Sequence, residues 1–301
     1  MPDVFDAPKT AKYKLTPVRF YLPAVRTQRN AEAEPHLLVE RDDGVMTLTL
    51  NRVAARNALS PQMLVRLAQA WYEFRDSSDL RVAILTGAGD EDFCAGGDLK
   101  LTMPLVTGAR QPEDEWDEAL MGNLVQFTDA ILRGFKLYKP VIAAVNGNAL
   151  GGGTEIMNAC DLRVASEHAV FGTPEAKVGL LPGGGSISRL PRQIPYAKAM
   201  EILLIGDPFP ASEALAMGLV NDVVPHERLM ARARDYAQRL AENGPLAVRK
   251  IKEGVVRTSG MPLVDALRVE DEVSAAVLSS KDAREGPRAF KEKRKPRFTG
   301  E

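Results

Sequence analysis

Two cysteines and three histidines in 301 residues set the first limits on this chain. Cys94 and Cys160 cannot build a disulfide framework, which points to a reducing compartment, so a cytoplasmic location is expected. His36, His168 and His226 form no close pair and no HExxH, and no CxxC exists, so no metal site is expected. Excess charge is missing too. The 39 Lys and Arg stand against 40 Asp and Glu, a net charge of −1, whereas a general nucleic-acid binder would be strongly basic. A nucleic-acid partner is therefore not expected. The longest apolar stretches, around 82–86 and 140–145, fall well short of a membrane span. The opening MPDVFDAPKT is acidic where an export leader would be basic. GxxxxGK[ST] and G-x-S-x-G are absent, and no GxGxxG follows the first strand, so phosphate-loop, nucleotide-fold and serine-elbow readings lose their usual footing.

What is present is the mix of a soluble globular chain, 45% hydrophobic and 26% charged. Residues 1–36 carry scattered prolines and no sustained period, and read as an extension. From 37 to 225 strands and helices alternate. Asp42-Asp43-Gly44 predicts a hairpin between LLVER and VMTLTLNR. Ser60-Pro61 opens a helix carrying Leu64, Leu67, Ala68, Trp71 and Phe74 at helical spacing. The apolar runs 81–87 and 139–147 read as strands buried on both faces, with further strands at 161–166 and 220–224. A stripe of Trp116, Leu120, Leu124, Phe127, Ile131 and Phe135 predicts one long helix, preceded by a loop over 102–116. Residues 226–301 read as helices only. The fold class is α/β, in a layered core.

Two glycine-rich turns follow buried strands: Phe93-Cys94-Ala95-Gly96-Gly97-Asp98-Leu99 and Asn146-Gly147-Asn148-Ala149-Leu150-Gly151-Gly152-Gly153-Thr154-Glu155. Ligands of α/β sheets bind beyond the carboxyl ends of strands, and glycine lets them approach backbone N–H groups. The plainer alternative is that these glycines only permit tight turns. Glu155 lies three residues after Gly152, and Glu175 sits in GTPEAKVGLLPGGG among small and apolar residues. A carboxyl in apolar surroundings is an acid–base candidate, because desolvation raises its pKa. The alternatives are an acid complementing a helix N-terminus and an ordinary loop acid. Cys94 has no local His or Asp partner and reads as a small buried residue rather than a nucleophile.

The ordered set NRVAARNALS, FCAGGDL, KPVIAAVNGNALGGGTE, GTPEAKVGLLPGGG and REGPRAFKEKRKPRF resembles the crotonase, or enoyl-CoA hydratase/isomerase, family from about His36 onward. The resemblance implies a spiral of ββα units with a C-terminal helical trimerisation region, assembled as a homotrimer or a dimer of trimers. It implies an acyl-CoA thioester substrate and no cofactor beyond the coenzyme A of that substrate. By motif position, the N–H groups of Gly97 and Gly152 form an oxyanion hole, and Glu155 and Glu175 are the catalytic carboxyls. Gly183 helps hold the water. Arg56, Ala58 and the turn of Ala95, Asp98, Leu99 and Lys100 line the CoA path, and Phe290 and Lys293 reach CoA from a neighbouring subunit. Hydration of a 2-enoyl-CoA is the leading expectation. Double-bond isomerisation, thioester hydrolysis and a non-catalytic RNA-binding relative are the alternatives. Thr154, where many relatives carry Cys or an apolar residue, bears on acyl-pocket polarity.

Overall fold

Asp43 and Gly44 take left-handed backbone angles, φ 43° and 77°, as a two-residue hairpin turn requires. They join β1 (Leu37–Asp42) to β2 (Val45–Leu50) in the computed structural model, which describes residues 34–301. Most of the expected extension, residues 1–33, lies outside the described residues. Helix α1 (Pro61–Asp76) begins as its sequence predicts. The Ser60 hydroxyl accepts the Met63 N–H at 3.2 Å, Pro61 occupies the first turn, and Leu64, Leu67, Ala68, Trp71 and Phe74 are buried.

The next three units repeat one device. Strand β3 (Val82–Gly87) is followed by the short β4 (Asp92–Cys94), then by α2 (Thr102–Val106), α3 (Glu115–Gly122) and α4 (Val125–Ala130). Strand β5 (Val141–Val145) leads to β6 (Asn148–Leu150) and α5 (Gly152–Ala159). Strand β7 (Leu162–Ser166) leads to β8 (Val170–Gly172), a single 3-10 turn at Pro174–Val178, and α6 (Ser186–Gln193). Then come α7 (Tyr196–Ile205), β9 (Phe209–Pro210), α8 (Ala211–Ala216), β10 (Asp222–Val224), α9 (Leu229–Glu242), α10 (Pro245–Thr258), α11 (Leu263–Leu278) and α12 (Asp282–Lys291). The first strand of each unit joins a sheet ordered β1-β2-β3-β5-β7-β10, and the second joins a small sheet ordered β4-β6-β8-β9. The chain thus winds as a spiral of ββα units, the architecture that the motif order implies.

The unbroken apolar runs of β3 and β5 are explained by two cores. Ala83, Leu85, Val141, Ala143 and Val145 pack toward α1 and the small sheet. Val82, Ile84, Ile142 and Ala144 pack on the other face against Leu229, Ala233 and Ala237 of α9. Helix α9 therefore packs on the large sheet as part of the layered core.

Two local expectations are corrected. The stripe from Trp116 to Phe135 is not one helix. Asn123 leaves helical geometry (φ −147°, ψ 82°), and its side-chain oxygen accepts the Val125 N–H at 3.3 Å, which restarts the chain as α4. Nor is 102–116 a simple loop: α2 forms there, and Arg110 ties the segment down by bonding Asp117 and, at 2.9 Å, the Leu101 carbonyl.

Helix α5 approaches β4 so closely that a Cβ on Gly153 would lie 2.1 Å from the Cys94 carbonyl oxygen. Backbone rather than a pliable side chain stands in the way. Gly153→Ala is expected to destabilise the fold by about 2–3 kcal/mol, read as a lower urea midpoint at fixed protein concentration. An unchanged midpoint would show that α5 can shift off β4 freely.

Candidate active site

The two glycine turns named above meet at the start of α5. Residues 56–59 run beside 95–98: Ala95 N–H donates to Arg56 (3.0 Å), Leu59 N–H to Gly96 (2.8 Å) and Asp98 N–H to Leu59 (3.2 Å). A Cβ on Gly152 would stand 3.4 Å from the Gly97 nitrogen, so the two backbones are in contact. Neither the Gly97 nor the Gly152 N–H donates to any acceptor among the described residues. Gly151, at φ 52° and ψ −122°, supplies the backbone turn that places the Gly152 N–H ahead of the helix. Two unspent N–H donors side by side are what a developing oxyanion needs.

Glu155 is buried on the first turn of α5, 5% exposed. Its Oε1 accepts the Ser186 N–H at 3.2 Å, and its Oε2 would be 2.5 Å from a Cβ on Gly184. The turn at 184–186 thus lies directly against this carboxyl, where a side chain at Gly184 would displace it. Burial pushes the Glu155 carboxyl up to about 7. The N–H groups of the 184–186 turn oppose the rise, and the negative charge of Glu175 adds to it. Glu175 comes from the 3-10 turn after β8, and its Oε1 lies 3.0 Å from where a Cβ on Gly151 would project. Its Oε2 is buried without a hydrogen-bond partner among the described residues, and burial raises its pKa. The structure thus brings Gly97, Gly152, Glu155 and Glu175 together around one helix start.

The remaining expected residues divide. Gly183 is exposed, and Gly184 is the glycine that faces Glu155. Arg56 is left-handed (φ 54°) and bonds Asp92 at 2.8 Å through a half-exposed guanidinium. The Ala58 carbonyl accepts Arg52 at 2.8 Å. Asp98 is buried, and its carboxylate is committed to Arg52 (2.8 Å) and to the N–H groups of Lys100 and Leu101, so it holds the turn from within. Leu99 and Lys100 are exposed beside it. Phe290 is exposed on α12 and Lys293 follows that helix; α12 packs against α11, whereas α5 packs against β4, β6 and α6. Thr154 lies inside the fold. It is fully buried and its hydroxyl bonds the carbonyls of Ala149 (2.5 Å) and Gly172 (2.9 Å), joining β6 to β8. The Cys94 thiol is buried and pushed up to about 12, which leaves it inert.

Other residues carry no motif signal in the sequence. Met103 Sδ lies 3.2 Å from the position of a Cβ on Gly97, and Ile131 Cδ1 lies 3.0 Å from that on Gly184, so these two wall the site. A cavity of about 650 Å3 lies elsewhere, between α12 and residues 292–299. There Arg294 pairs with Glu285 and Glu292, Arg288 with Glu285 and Lys295 with Glu242.

The profile of the enoyl-CoA hydratase/isomerase family matches residues 40–301. The chain belongs to the enoyl-CoA hydratase/isomerase family. An enoyl-CoA hydratase of Mycobacterium tuberculosis is 45% identical over 267 residues, 89% of this chain and 97% of that protein. The (E)-benzylidenesuccinyl-CoA hydratase of Thauera aromatica is 40% identical over 262 residues, 87% of this chain and 98% of that protein. The crystal structure of an enoyl-CoA hydratase from Bacillus anthracis superposes with a TM-score of 0.80 at 38% identity, over 88% of this chain and 100% of the other. Family membership makes the chain an enzyme of acyl-CoA metabolism.

The raised pKa of Glu155 links activity to stability. The folded state holds this proton up to about pH 7, whereas an unfolded chain releases it near 4.5. Between those values the native state binds more protons, so stability falls as pH rises through the window. Glu155→Gln removes that penalty and keeps an acceptor for Ser186. It is expected to raise the unfolding free energy at pH 8 by about 2–3 kcal/mol and to change little at pH 4. Equal urea midpoints for the two proteins at pH 8 would contradict the assignment.

Proposed function

We propose that this protein is an enoyl-CoA hydratase, which adds water reversibly across the C2=C3 bond of a 2-enoyl-CoA to give a 3-hydroxyacyl-CoA. The observation that carries the reading is the pair of buried carboxyls at the start of α5, beside two unspent backbone donors. As water attacks C3, one of its protons passes to Glu155 and an electron pair moves onto the thioester oxygen. The N–H groups of Gly97 and Gly152 stabilise that enolate, and losing one such donor typically costs ~2.7–4 kcal/mol. Glu175 then delivers its proton to C2. The pair carries one proton before and after, so a single transfer, directly or through solvent, resets it. Gly183, at the head of the turn over Glu155, is assigned to help hold the water.

The CoA is assigned to the groove of Arg56, Ala58 and residues 95–100, and the reaction needs no cofactor beyond it. Phe290 and Lys293 are assigned to the CoA of a neighbouring subunit, in a homotrimer or a dimer of trimers. The exposed apolar side chains Ile251, Val255 and Leu278 on α10 and α11 support such an assembly. Two free, buried cysteines support a cytoplasmic location, and no helix among the described residues is long and apolar enough to cross a membrane.

The test is loss of the conjugated enoyl-thioester absorbance with crotonyl-CoA. Wild type is expected to turn over, and Glu155→Gln and Glu175→Gln each to lose about 10²–10⁴-fold in kcat. The acid limb of kcat/KM should rise through about pH 7 as Glu155 becomes a base. Release of free CoA, or a moved double bond without water incorporated at C3, would replace hydration by hydrolysis or isomerisation.

A further inference from the structure

The turn that closes on Glu155 is held from its other side by a second charge. Arg189, on the first turn of α6, donates from Nη1 to the Gly184 carbonyl at 3.2 Å and from Nη2 to the Leu132 carbonyl at 2.7 Å. No carboxylate lies within ion-pair distance of it among the described residues. A Cβ on Gly184 would strike Glu155 Oε2 at 2.5 Å, and a Cβ on the next residue, Gly185, would strike Arg189 Nη1 at 2.4 Å. The carboxyl and the guanidinium therefore each lie against one of two successive glycines.

Leu132 is the other anchor. It is left-handed (φ 55°), which turns its carbonyl toward Arg189 just after Ile131, the residue whose Cδ1 walls the site. One planar fork thus ties the turn that donates to Glu155 to the segment that lines the pocket. A guanidinium suits this task because its donors are fixed in a plane and its charge persists when partly buried.

We propose that Arg189 is a positioning residue for Glu155, bridging the Gly184 and Leu132 carbonyls so that the glycine turn stays closed on the carboxyl and a positive charge stands behind it. The catalytic part of this inference rests on the hydratase reading; the positioning part does not. The charged and titratable groups on the surrounding elements are few. Glu175 faces from the 3-10 turn, Arg133 from the end of α4, Cys94 from β4 and Cys160 from the end of α5. Both thiols are pushed up to about 12 and stay neutral. Burial lowers the pKa of Arg189, and the charge of Glu155 is among the influences that oppose the fall, as expected of neighbours across one turn.

The test follows the Glu155 carboxyl in pH-difference infrared spectra, its band identified as the one that Glu155→Gln removes. In Arg189→Met the titration midpoint is expected to move up by about one unit, and the acid limb of kcat/KM with crotonyl-CoA to move with it. Its kcat should fall about 10- to 100-fold with KM nearly unchanged. Arg189→Lys keeps the charge without the fork, so its midpoint should stay in place while kcat still falls. A midpoint unmoved in Arg189→Met, with activity lost only in proportion to thermal stability, would overturn the proposal. Should Arg189→Met not fold, Arg189→Lys decides: wild-type kcat overturns the bridge, and reduced kcat at an unmoved midpoint supports it. A wild type that hydrates no enoyl thioester would overturn the hydratase reading, leaving the infrared midpoints to judge Arg189.

Discussion

Desolvation of two carboxyls at one helix start is the constraint around which the rest is arranged. A helix N-terminus favours ionised acids, because its free N–H groups and dipole attract negative charge. Here burial outweighs that attraction, and Glu155 holds its proton to about pH 7. Tolerating such a group requires close, well-directed backbone around it. The chain supplies this with residues that have no side chain, at Gly151, Gly152 and Gly184, and with a carbonyl-bonded arginine behind them. The same glycines leave the Gly97 and Gly152 N–H groups open, so the two carboxyls and the two open donors share one piece of backbone geometry.

The spiral serves this arrangement by bringing distant segments to one place. Residues 56–59 bond to 95–98, which touch 151–153, and the third unit adds Glu175 and the turn at 184–186. The segments 95–98 and 151–153 follow directly on β4 and β6 of the small sheet, and Glu175 follows β8. Thr154 strengthens that sheet by bonding carbonyls of β6 and β8. The large sheet and its two cores hold the frame, while the small sheet registers the site.

Much of this was legible in the sequence. The Asp43-Gly44 turn, the Ser60-Pro61 helix start and the two-faced strands β3 and β5 each depend on local chemistry or period. The small sheet was not, because strands of two or three residues cannot display a period. The long helix over 116–135 failed for a related reason: the apolar stripe persists, but Asn123 competes for the backbone through its own side chain. At the site, ordered motifs pointed to the glycines and both glutamates through resemblance. Arg189, Met103 and Ile131 were invisible, since their roles depend on contacts between segments far apart in sequence. Thr154 drew notice because many relatives carry Cys or an apolar residue there, and only the fold shows the carbonyls of Ala149 and Gly172 beside its hydroxyl.

The donors that would stabilise charge are main-chain groups, while the walls beside them, Met103 and Ile131, are ordinary side chains on the α2–α4 excursion. That division uncouples two kinds of change. A point mutation cannot delete a backbone N–H except by introducing proline, and a Cβ at Gly97, Gly151 or Gly152 would stand tight against its neighbours, at 3.2, 3.0 and 3.3 Å. Exposed positions along the excursion, such as Met121, Leu124 and Val125, meet no such barrier. A lineage built on this frame can therefore vary along the excursion while the paired carboxyls and the open donors stay in place.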